Sequence, residues 1–154
     1  MELDRVAELP TWLLSRANAG AQEILSAALG RAGARGYHYR LLAGLAQHGP
    51  LSQAELGRRT GIDRKDVAVA VAELEADALV VRTSDPTDAR RRVVSLARDG
   101  ERRLRDLDQV LAQAQAQVLA PLDPEERLVL TRLLAKLSGS GSGSGDADGR
   151  GTAS

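Results

Sequence analysis

The chain has 154 residues, of which 43% are apolar and 27% charged, a composition typical of one globular domain and not of a disordered chain. Its 21 basic and 21 acidic residues give a formal net charge of +0, which excludes any argument from overall charge to a nucleic-acid partner. The absence of cysteine excludes disulfides, thiolate catalysis and cysteine-ligated metals.

The first part of the chain is predicted to be helical. Apolar residues at three- or four-residue steps indicate a helix from about Pro10 to Gly30. A second helix over Tyr37–Gln47 is followed by a Gly-Pro stop signal. Ser52 and Glu55 have the spacing of a capping box, in which each side chain bonds the backbone amide of the other residue. They begin a short helix that we expect to end at Gly61.

The middle of the chain combines a helix with a hairpin. Asp63 has the character of a helix cap and begins a segment that runs to about Asp77. Two runs rich in β-branched residues, Leu79–Thr83 and Arg92–Ala97, flank turn-forming residues. They predict a β-hairpin with a long, arginine-rich tip.

The last part of the chain is again helical, with a long helix over about Asp99–Ala120 and another that starts at Asp123 and ends at Leu137. The predicted fold is therefore mostly α with a small β-hairpin, in a single domain over residues 1–137. The Gly/Ser-rich segment 138–154 cannot bury apolar surface and is predicted to be a flexible tail. Because no run of about 18 apolar residues exists and four of the first ten residues are charged, we expect no membrane span, no signal peptide and a cytoplasmic location.

Residues 51–97 have the order of a helix-turn-helix followed by a hairpin. The start of the second helix is left facing outward, and such a helix fits the major groove of DNA, where small apolar side chains can touch thymine methyl groups. Arginines at the hairpin tip are long enough to reach an adjacent minor groove. Residues 82–105 hold eight basic and four acidic residues, so positive charge collects there. The predicted DNA contacts are Ser52, Arg64, Lys65, Asp66, Ala68, Val69, Asp88, Arg90, Arg91 and Arg92.

Residues 49–100 carry a specific succession of motifs: a Leu-Ser-x-x-Glu-Leu helix, a Gly-linked second helix ending Leu-Glu, an Ala-Leu-Val strand, an Asp-Pro-x-Asp-x-Arg turn and a Val-x-Leu strand. This succession resembles the MarR family of winged helix-turn-helix transcriptional regulators, and the likeness covers about residues 5–137. The resemblance implies that Asp88 braces the hairpin, called the wing, and that Arg90 enters the minor groove. It also implies long dimerisation helices, about 6–30 and 99–137, and a small-molecule pocket beside the DNA-binding part at about 37–97.

Two parts of the sequence depart from the family pattern. Ala68, Val69 and Ala72 stand where related recognition helices often carry polar residues or arginine, so we expect fewer phosphate contacts and more contacts to methyl groups. Ala97 stands where a threonine usually caps the helix after the wing, so we expect the start of that helix to be less firmly fixed.

All aromatic residues of the chain lie between positions 12 and 39. Trp12 and Arg16 are four residues apart and share a helix face. An arginine beside aromatic rings can hold a carboxylate while the rings stack on an aromatic ligand. The predicted ligand contacts are therefore Trp12, Arg16, Tyr37, His38 and Tyr39. The same rings fit equally well as core or interface fillers, and His38 as a structural histidine.

The two histidines have no acidic partner set nearby in the sequence, and no nucleophile, acid and base are grouped, so we predict no metal site, no cofactor and no enzyme. The sequence instead predicts a homodimeric transcriptional repressor on a pseudo-palindromic, double-stranded DNA operator. A small aromatic or phenolic effector would release it. Two alternatives stay open: a ligand-independent DNA-binding or chromatin-organising protein, and a winged-helix module for protein–protein contact.

Overall fold

The structure is a computed structural model that describes residues 3–139. It confirms a mostly helical fold with one two-stranded antiparallel hairpin. The predicted boundaries agree with the observed ones to within two residues, while the short helix α1 was not predicted. From position 140 onward the predicted tail lies outside the described residues. The elements are α1 (Leu3–Ala7), α2 (Pro10–Arg31), α3 (Gly36–His48), α4 (Gln53–Thr60), α5 (Arg64–Ala76), β1 (Val80–Ser84), β2 (Arg92–Leu96), α6 (Arg98–Val118) and α7 (Pro124–Leu137).

The described part of the chain divides into two compact units, the first ending at Val118 and the second beginning at Leu119. In the second unit α7 begins with a capping box, because the Asp123 carboxylate accepts the Glu126 N–H at 2.9 Å and the Glu126 carboxylate accepts the Asp123 N–H at 3.0 Å. Helix α7 also exposes large apolar side chains, Leu128 and Leu137 being the most exposed. The single domain over residues 1–137 stays a prediction.

The core of the first unit is built around α3, which packs against α4, α5, α6 and β2, while α2 packs against α6. It is aliphatic because the chain has no phenylalanine. Leu41 and Leu42 of α3 are fully buried, as is Leu107 of α6. In contrast, every residue from Arg5 to Gly20 is exposed, so the first half of α2 extends beyond this core.

The helix-turn-helix is fixed by local capping. The predicted capping box is confirmed, since the Ser52 hydroxyl accepts the Glu55 N–H at 3.2 Å and the Glu55 carboxylate accepts the Ser52 N–H at 3.0 Å. Gly61 takes a left-handed conformation (φ 66°) that ends α4. The Asp63 carboxylate then accepts the Lys65 N–H at 2.8 Å and starts α5. Between them, at the junction of the two helices, Ile62 is buried in the core.

The hairpin is attached to the start of this motif. Strands β1 and β2 pair from Val80 opposite Leu96 to Ser84 opposite Arg92. Leu51, just before α4, pairs with Val94 through two backbone hydrogen bonds of 3.1 and 2.7 Å and so forms an isolated β-bridge to β2. The base of the hairpin is therefore held against the residue that precedes the helix-turn-helix.

Gly100, in the first turn of α6, packs against the hairpin base. A Cβ atom at this position would overlap the carbonyl oxygen of Leu79 and would lie 2.8 Å from Cδ1 of Leu96. The same Leu79 carbonyl accepts the Ala97 N–H at 3.0 Å. The start of α6 is thus fixed by close backbone packing. The sequence, with Ala97 in place of a threonine cap, predicted a less firmly fixed start and did not indicate this packing.

Candidate nucleic-acid interface and ligand cavity

Helix α5 has one buried and one exposed face. Val67, Ala70, Val71 and Leu74 are buried against the core. The residues predicted to contact DNA lie on the other face, where Asp66 is half-buried and the rest are exposed. Those exposed residues are Arg64, Lys65, Ala68 and Val69, and Ala72 is exposed beside them.

The loop between the strands, residues 85–91, is called the wing tip below. The Asp85 carboxylate accepts the Thr87 N–H at 2.8 Å and its hydroxyl at 2.7 Å, and these hydrogen bonds lower the pKa of Asp85. The Asp88 carboxylate accepts the Arg90 N–H at 3.0 Å, and the Asp88 carbonyl accepts the Arg91 N–H at 3.0 Å. Asp88 therefore forms two hydrogen bonds within the loop, while the bracing role that the family resemblance implies for it stays a prediction.

The three arginines of the wing have different surroundings. The Arg91 guanidinium lies 2.5 Å from the Glu55 carboxylate and 3.7 Å from that of Asp85. Within residues 3–139, the side chains of Arg90 and Arg92 form no hydrogen bond or ion pair. These two exposed cations are therefore free for an external anion, whereas Arg91 is already partnered.

Glu55 serves the helix cap and the wing at once. Its carboxylate accepts the Ser52 N–H at 3.0 Å and the Ser52 hydroxyl at 3.1 Å while it pairs with Arg91. The Ser52 backbone hydrogen bond, followed by the Arg91 side chain, lowers the pKa of Glu55 to about 2. The Ser52 hydroxyl is therefore occupied by the cap, and its predicted contact with DNA stays a prediction.

A positively lined groove of about 410 Å³ lies between the hairpin and the start of α4. Its walls include Gln53, Arg82 and Arg92. Arg82 also pairs with Glu75 of α5 at 2.5 Å, which joins β1 to the outward helix. The wing and α5 are thus connected both by the chain and by an ion pair.

A cavity of about 550 Å³, called the ligand cavity below, opens between α2, α3 and α6. Its lining mixes apolar side chains and rings with amides and two guanidinium groups. The Tyr39 hydroxyl donates to the Asp108 carboxylate at 2.9 Å, and burial followed by this bond raises the pKa of Tyr39. The lining residues are Gln22, Leu25, Ser26, Leu29, Arg35, Gly36, Tyr37, Tyr39, Arg40, Leu111 and Gln115.

Of the five predicted ligand contacts, the structure brings Tyr37 and Tyr39 to this cavity. Trp12 and Arg16 do not line it, because they precede Gln22, the first residue of α2 in the cavity wall, by about 15 and about 9 Å of helix. The His38 ring bonds the Glu73 carboxylate at 2.7 Å instead, and this hydrogen bond is the main cause of a lowered pKa at Glu73. His38 thus has the surroundings of a structural histidine.

The two arginines in the cavity wall were not predicted from the sequence. Arg40 follows Tyr37 by three residues on α3, a spacing that puts both on one face, and its guanidinium lies 5.3 Å from the centre of the Tyr37 ring. The same guanidinium donates to the carbonyl of Thr60, the last residue of α4, at 3.2 Å. Arg40 therefore joins the cavity wall to the end of the first helix of the helix-turn-helix.

Neither a membrane span nor a metal cluster occurs in the described residues. Between positions 3 and 139, the helices are too short or too polar to cross a bilayer. The same part of the chain holds no group of three or more His, Asp or Glu side chains placed to bind a metal ion.

Comparison with known proteins shows similarity to transcriptional regulators. A family model described as "MarR family" matches residues 29–91. The transcriptional repressor NicR of Pseudomonas putida is 33% identical over 99 residues, which are 64% of this chain and 63% of that protein. The chain thus aligns with less than two thirds of the length of this curated relative.

Two solved structures are similar over most of their length. One is described as a "probable transcriptional regulator" from Pseudomonas aeruginosa. It is 30% identical with a TM-score of 0.75, and the match covers 85% of this chain and 98% of that one. The other is BpsR of Bordetella bronchiseptica, from a study of how 6-hydroxynicotinic acid regulates its DNA binding. It is 26% identical with a TM-score of 0.75, and the match covers 92% of this chain and 96% of that one.

Proposed function

The chain belongs to the MarR family, and from this premise we propose that it is a sequence-specific, DNA-binding regulator of transcription. The observation that carries the proposal is the pairing of two exposed features in one unit. These are the outward face of α5 and the unpartnered wing arginines, Arg90 and Arg92. Because the relatives are bacterial and the bacterial chromosome lies in the cytoplasm, we propose a cytoplasmic location and no membrane partner.

The two features suit different parts of the duplex. The first turn of α5 presents Arg64 and Lys65, whose side chains can reach base edges or phosphates in a major groove. Ala68 and Val69, one turn further on, offer methyl groups to thymine. The wing presents Arg90 to the neighbouring minor groove. Arg92 lies beside Gln53 in the wall of the groove between the hairpin and α4.

We propose that the protein acts as a homodimer. Leu9, which precedes α2, and the first half of α2 expose large apolar side chains, each 42–53% exposed: Leu9, Trp12, Leu13 and Leu14. A second copy of the chain would remove such surface from water, and a stretch of large apolar side chains is more typical of an interface than of a solvated face. Two recognition helices then meet major grooves about 34 Å apart, so the operator is pseudo-palindromic.

Selection of bound duplexes from a random DNA library tests this proposal. We expect enrichment of a dyad-symmetric sequence with half-sites about one helical turn apart. An enriched but asymmetric or degenerate pool favours the chromatin-organising alternative. No binding at low salt by a folded dimer would reject DNA binding and favour the protein–protein module.

We further propose that the protein is a repressor and that a small aromatic acid, phenolic or otherwise, releases it from DNA. The ligand cavity offers the tyrosine rings of residues 37 and 39 for stacking and the guanidinium groups of Arg35 and Arg40 for a carboxylate. The relative that is regulated by 6-hydroxynicotinic acid supports this ligand chemistry, and the relative named a repressor supports the sign of regulation.

Release would act through Arg40. A carboxylate in the cavity competes with the Thr60 carbonyl for the Arg40 guanidinium, because a charged acceptor binds an arginine more strongly than a neutral one. Loss of that bond frees the end of α4, which leads directly into Gly61 and α5. The ligand therefore favours a different placement of the recognition helix and shifts the population away from the DNA-bound form.

A thermal-shift panel of benzoate, hydroxybenzoates and hydroxynicotinates measures ligand binding. At a hundred times its Kd, a ligand of the folded state raises Tm by roughly 5 °C or more in a chain of this size. We expect Arg40→Gln to abolish the shift for the best acid. Arg16→Gln is the matched control, since this arginine does not line the cavity, and it should keep the shift. If no compound of the panel raises the Tm of the wild type or of Arg16→Gln, the ligand-independent alternative is favoured.

A further inference from the structure

Arg91 is the wing arginine that the sequence could not tell apart from its neighbours. We infer that it does not bind DNA but is a positioning residue, which ties the wing tip to the first turn of α4 through Glu55 and so holds Arg90 and Arg92 toward the duplex. The inference rests on the proposed DNA-binding function and specifies how that surface is assembled.

The surroundings of Arg91 are acidic. Its guanidinium lies between two carboxylates, that of Glu55 at 2.5 Å and that of Asp85 at 3.7 Å. These three side chains carry one positive and two negative charges, so the group as a whole is net negative. A phosphate that approached Arg91 would meet two carboxylates that already form ion pairs with it, and it would be repelled by their charge. Arg91 therefore adds little to the attraction for DNA.

Both ends of the Glu55–Arg91 pair are fixed in place. Glu55 is held by both Ser52 bonds at the first turn of α4, so its carboxylate has a fixed position. The backbone of Arg91 is fixed as well, because its carbonyl accepts the Asp85 N–H at 2.7 Å and its N–H donates to the Asp88 carbonyl at 3.0 Å. The pair consequently acts as a clamp that connects a fixed point of the helix-turn-helix to both sides of the wing tip.

The arginines on either side of Arg91 depend on this clamp. Arg90 and Arg92 precede and follow Arg91 directly, and neither side chain has a partner within residues 3–139 that would fix it. The backbone geometry around Arg91 is therefore what sets the direction from which these cations reach a groove. Without the clamp the wing tip would sample more conformations, and binding DNA would cost the entropy of ordering it.

The test uses the whole 154-residue chain and a duplex recovered by the random-library selection, with Kd measured over a salt series. Glu55→Gln keeps the cap, because the amide oxygen still accepts the Ser52 N–H, but it removes the charge that holds Arg91. We expect Glu55→Gln and Arg91→Gln each to raise Kd about tenfold. The double variant should be no worse than either single one, because both remove the same clamp.

Direct binding of a phosphate by Arg91 predicts the opposite sign for one variant. Removal of the Glu55 charge would then free Arg91 and lower Kd, while Arg91→Gln alone would reduce the salt slope by about 0.9 for each phosphate that the side chain no longer neutralises. That result, or wild-type Kd in both variants, would overturn the inference. If the wild-type protein enriches no duplex, the proposed DNA-binding function fails. If it enriches a duplex and the variants behave as just described, only the inference about Arg91 fails.

Glu75→Gln is the matched control. It removes a carboxylate from an ion pair of the hairpin that does not involve Arg91, Arg82–Glu75, and so reports the general gain in affinity from deleting a negative charge near DNA. We expect this variant to bind as tightly as wild type or more tightly. The Tm of each variant checks that the fold is retained, and backbone amide order parameters of residues 86–90 should fall in Glu55→Gln and Arg91→Gln only.

Discussion

Replacing Arg90 with alanine is expected to weaken DNA binding by about 2 kcal/mol, or roughly thirtyfold in Kd. The reason is that this side chain is one of two wing cations without a partner in the described chain, so it gives up no internal bond on meeting DNA. Because a minor-groove arginine is drawn mainly by the negative potential there, the effect should be similar on the selected duplex and on a scrambled one. Titration of both duplexes over a salt series measures it.

Lys65→Ala is the informative comparison, because Lys65 lies in the first turn of α5, where the side chains reach base edges. We expect this variant to lose more affinity on the selected duplex than on the scrambled one, and so to lower the preference for the selected duplex. Unchanged affinity on the selected duplex in both variants would reject the proposed contacts of the wing and of α5 together.

Gly100→Ala is expected to destabilise the folded protein by about 3 kcal/mol, the upper end of the usual cost of overpacking. The added methyl group would overlap the Leu79 carbonyl oxygen, which belongs to the backbone and cannot turn away as a flexible side chain can. Moving that carbonyl would also break its hydrogen bond with the Ala97 N–H. Thermal unfolding at a fixed protein concentration should give a Tm lower by about 9 °C.

Gly30→Ala is the control for a change of the same type in a helix. Gly30 is exposed near the end of α2, and a Cβ atom there would meet no atom within 4 Å. Alanine should therefore stabilise this helix by about 0.5–1 kcal/mol through its better helix propensity. Equal effects of the two substitutions would contradict the close packing at Gly100.

The sequence predicts well those features that are determined by neighbours along the chain. Ser52 and Glu55 form the capping box because their spacing alone brings each side chain to the other's amide. Gly61 and Asp63 likewise mark the turn of the helix-turn-helix. Gly61 takes the left-handed conformation that ends α4, and the Asp63 side chain caps the start of α5. Element boundaries could therefore be predicted to within two residues.

Features that depend on tertiary packing could not be predicted in the same way. The hydrogen bond between Arg40 and the Thr60 carbonyl joins residues 20 positions apart, and no local sequence pattern around either residue predicts that the two are in contact. The same holds for the Glu55–Arg91 pair, which gives one arginine of a run of three a role different from its neighbours. Trp12 and Arg16 share a helix face as predicted, but the length of α2 carries them away from the ligand cavity.

The exposed aliphatic side chains in the middle of α5 have a consequence for modified DNA. Ala68 and Val69 would recognise thymine by its C5-methyl group, and 5-methylcytosine carries a methyl group at the same place in the major groove. A recognition helix that relies on such contacts, with few hydrogen bonds to the base edges, discriminates poorly between these two bases. On the proposed contacts, cytosine methylation within a half-site would therefore create a sequence that the protein accepts, and occupancy would follow the methylation state of the DNA.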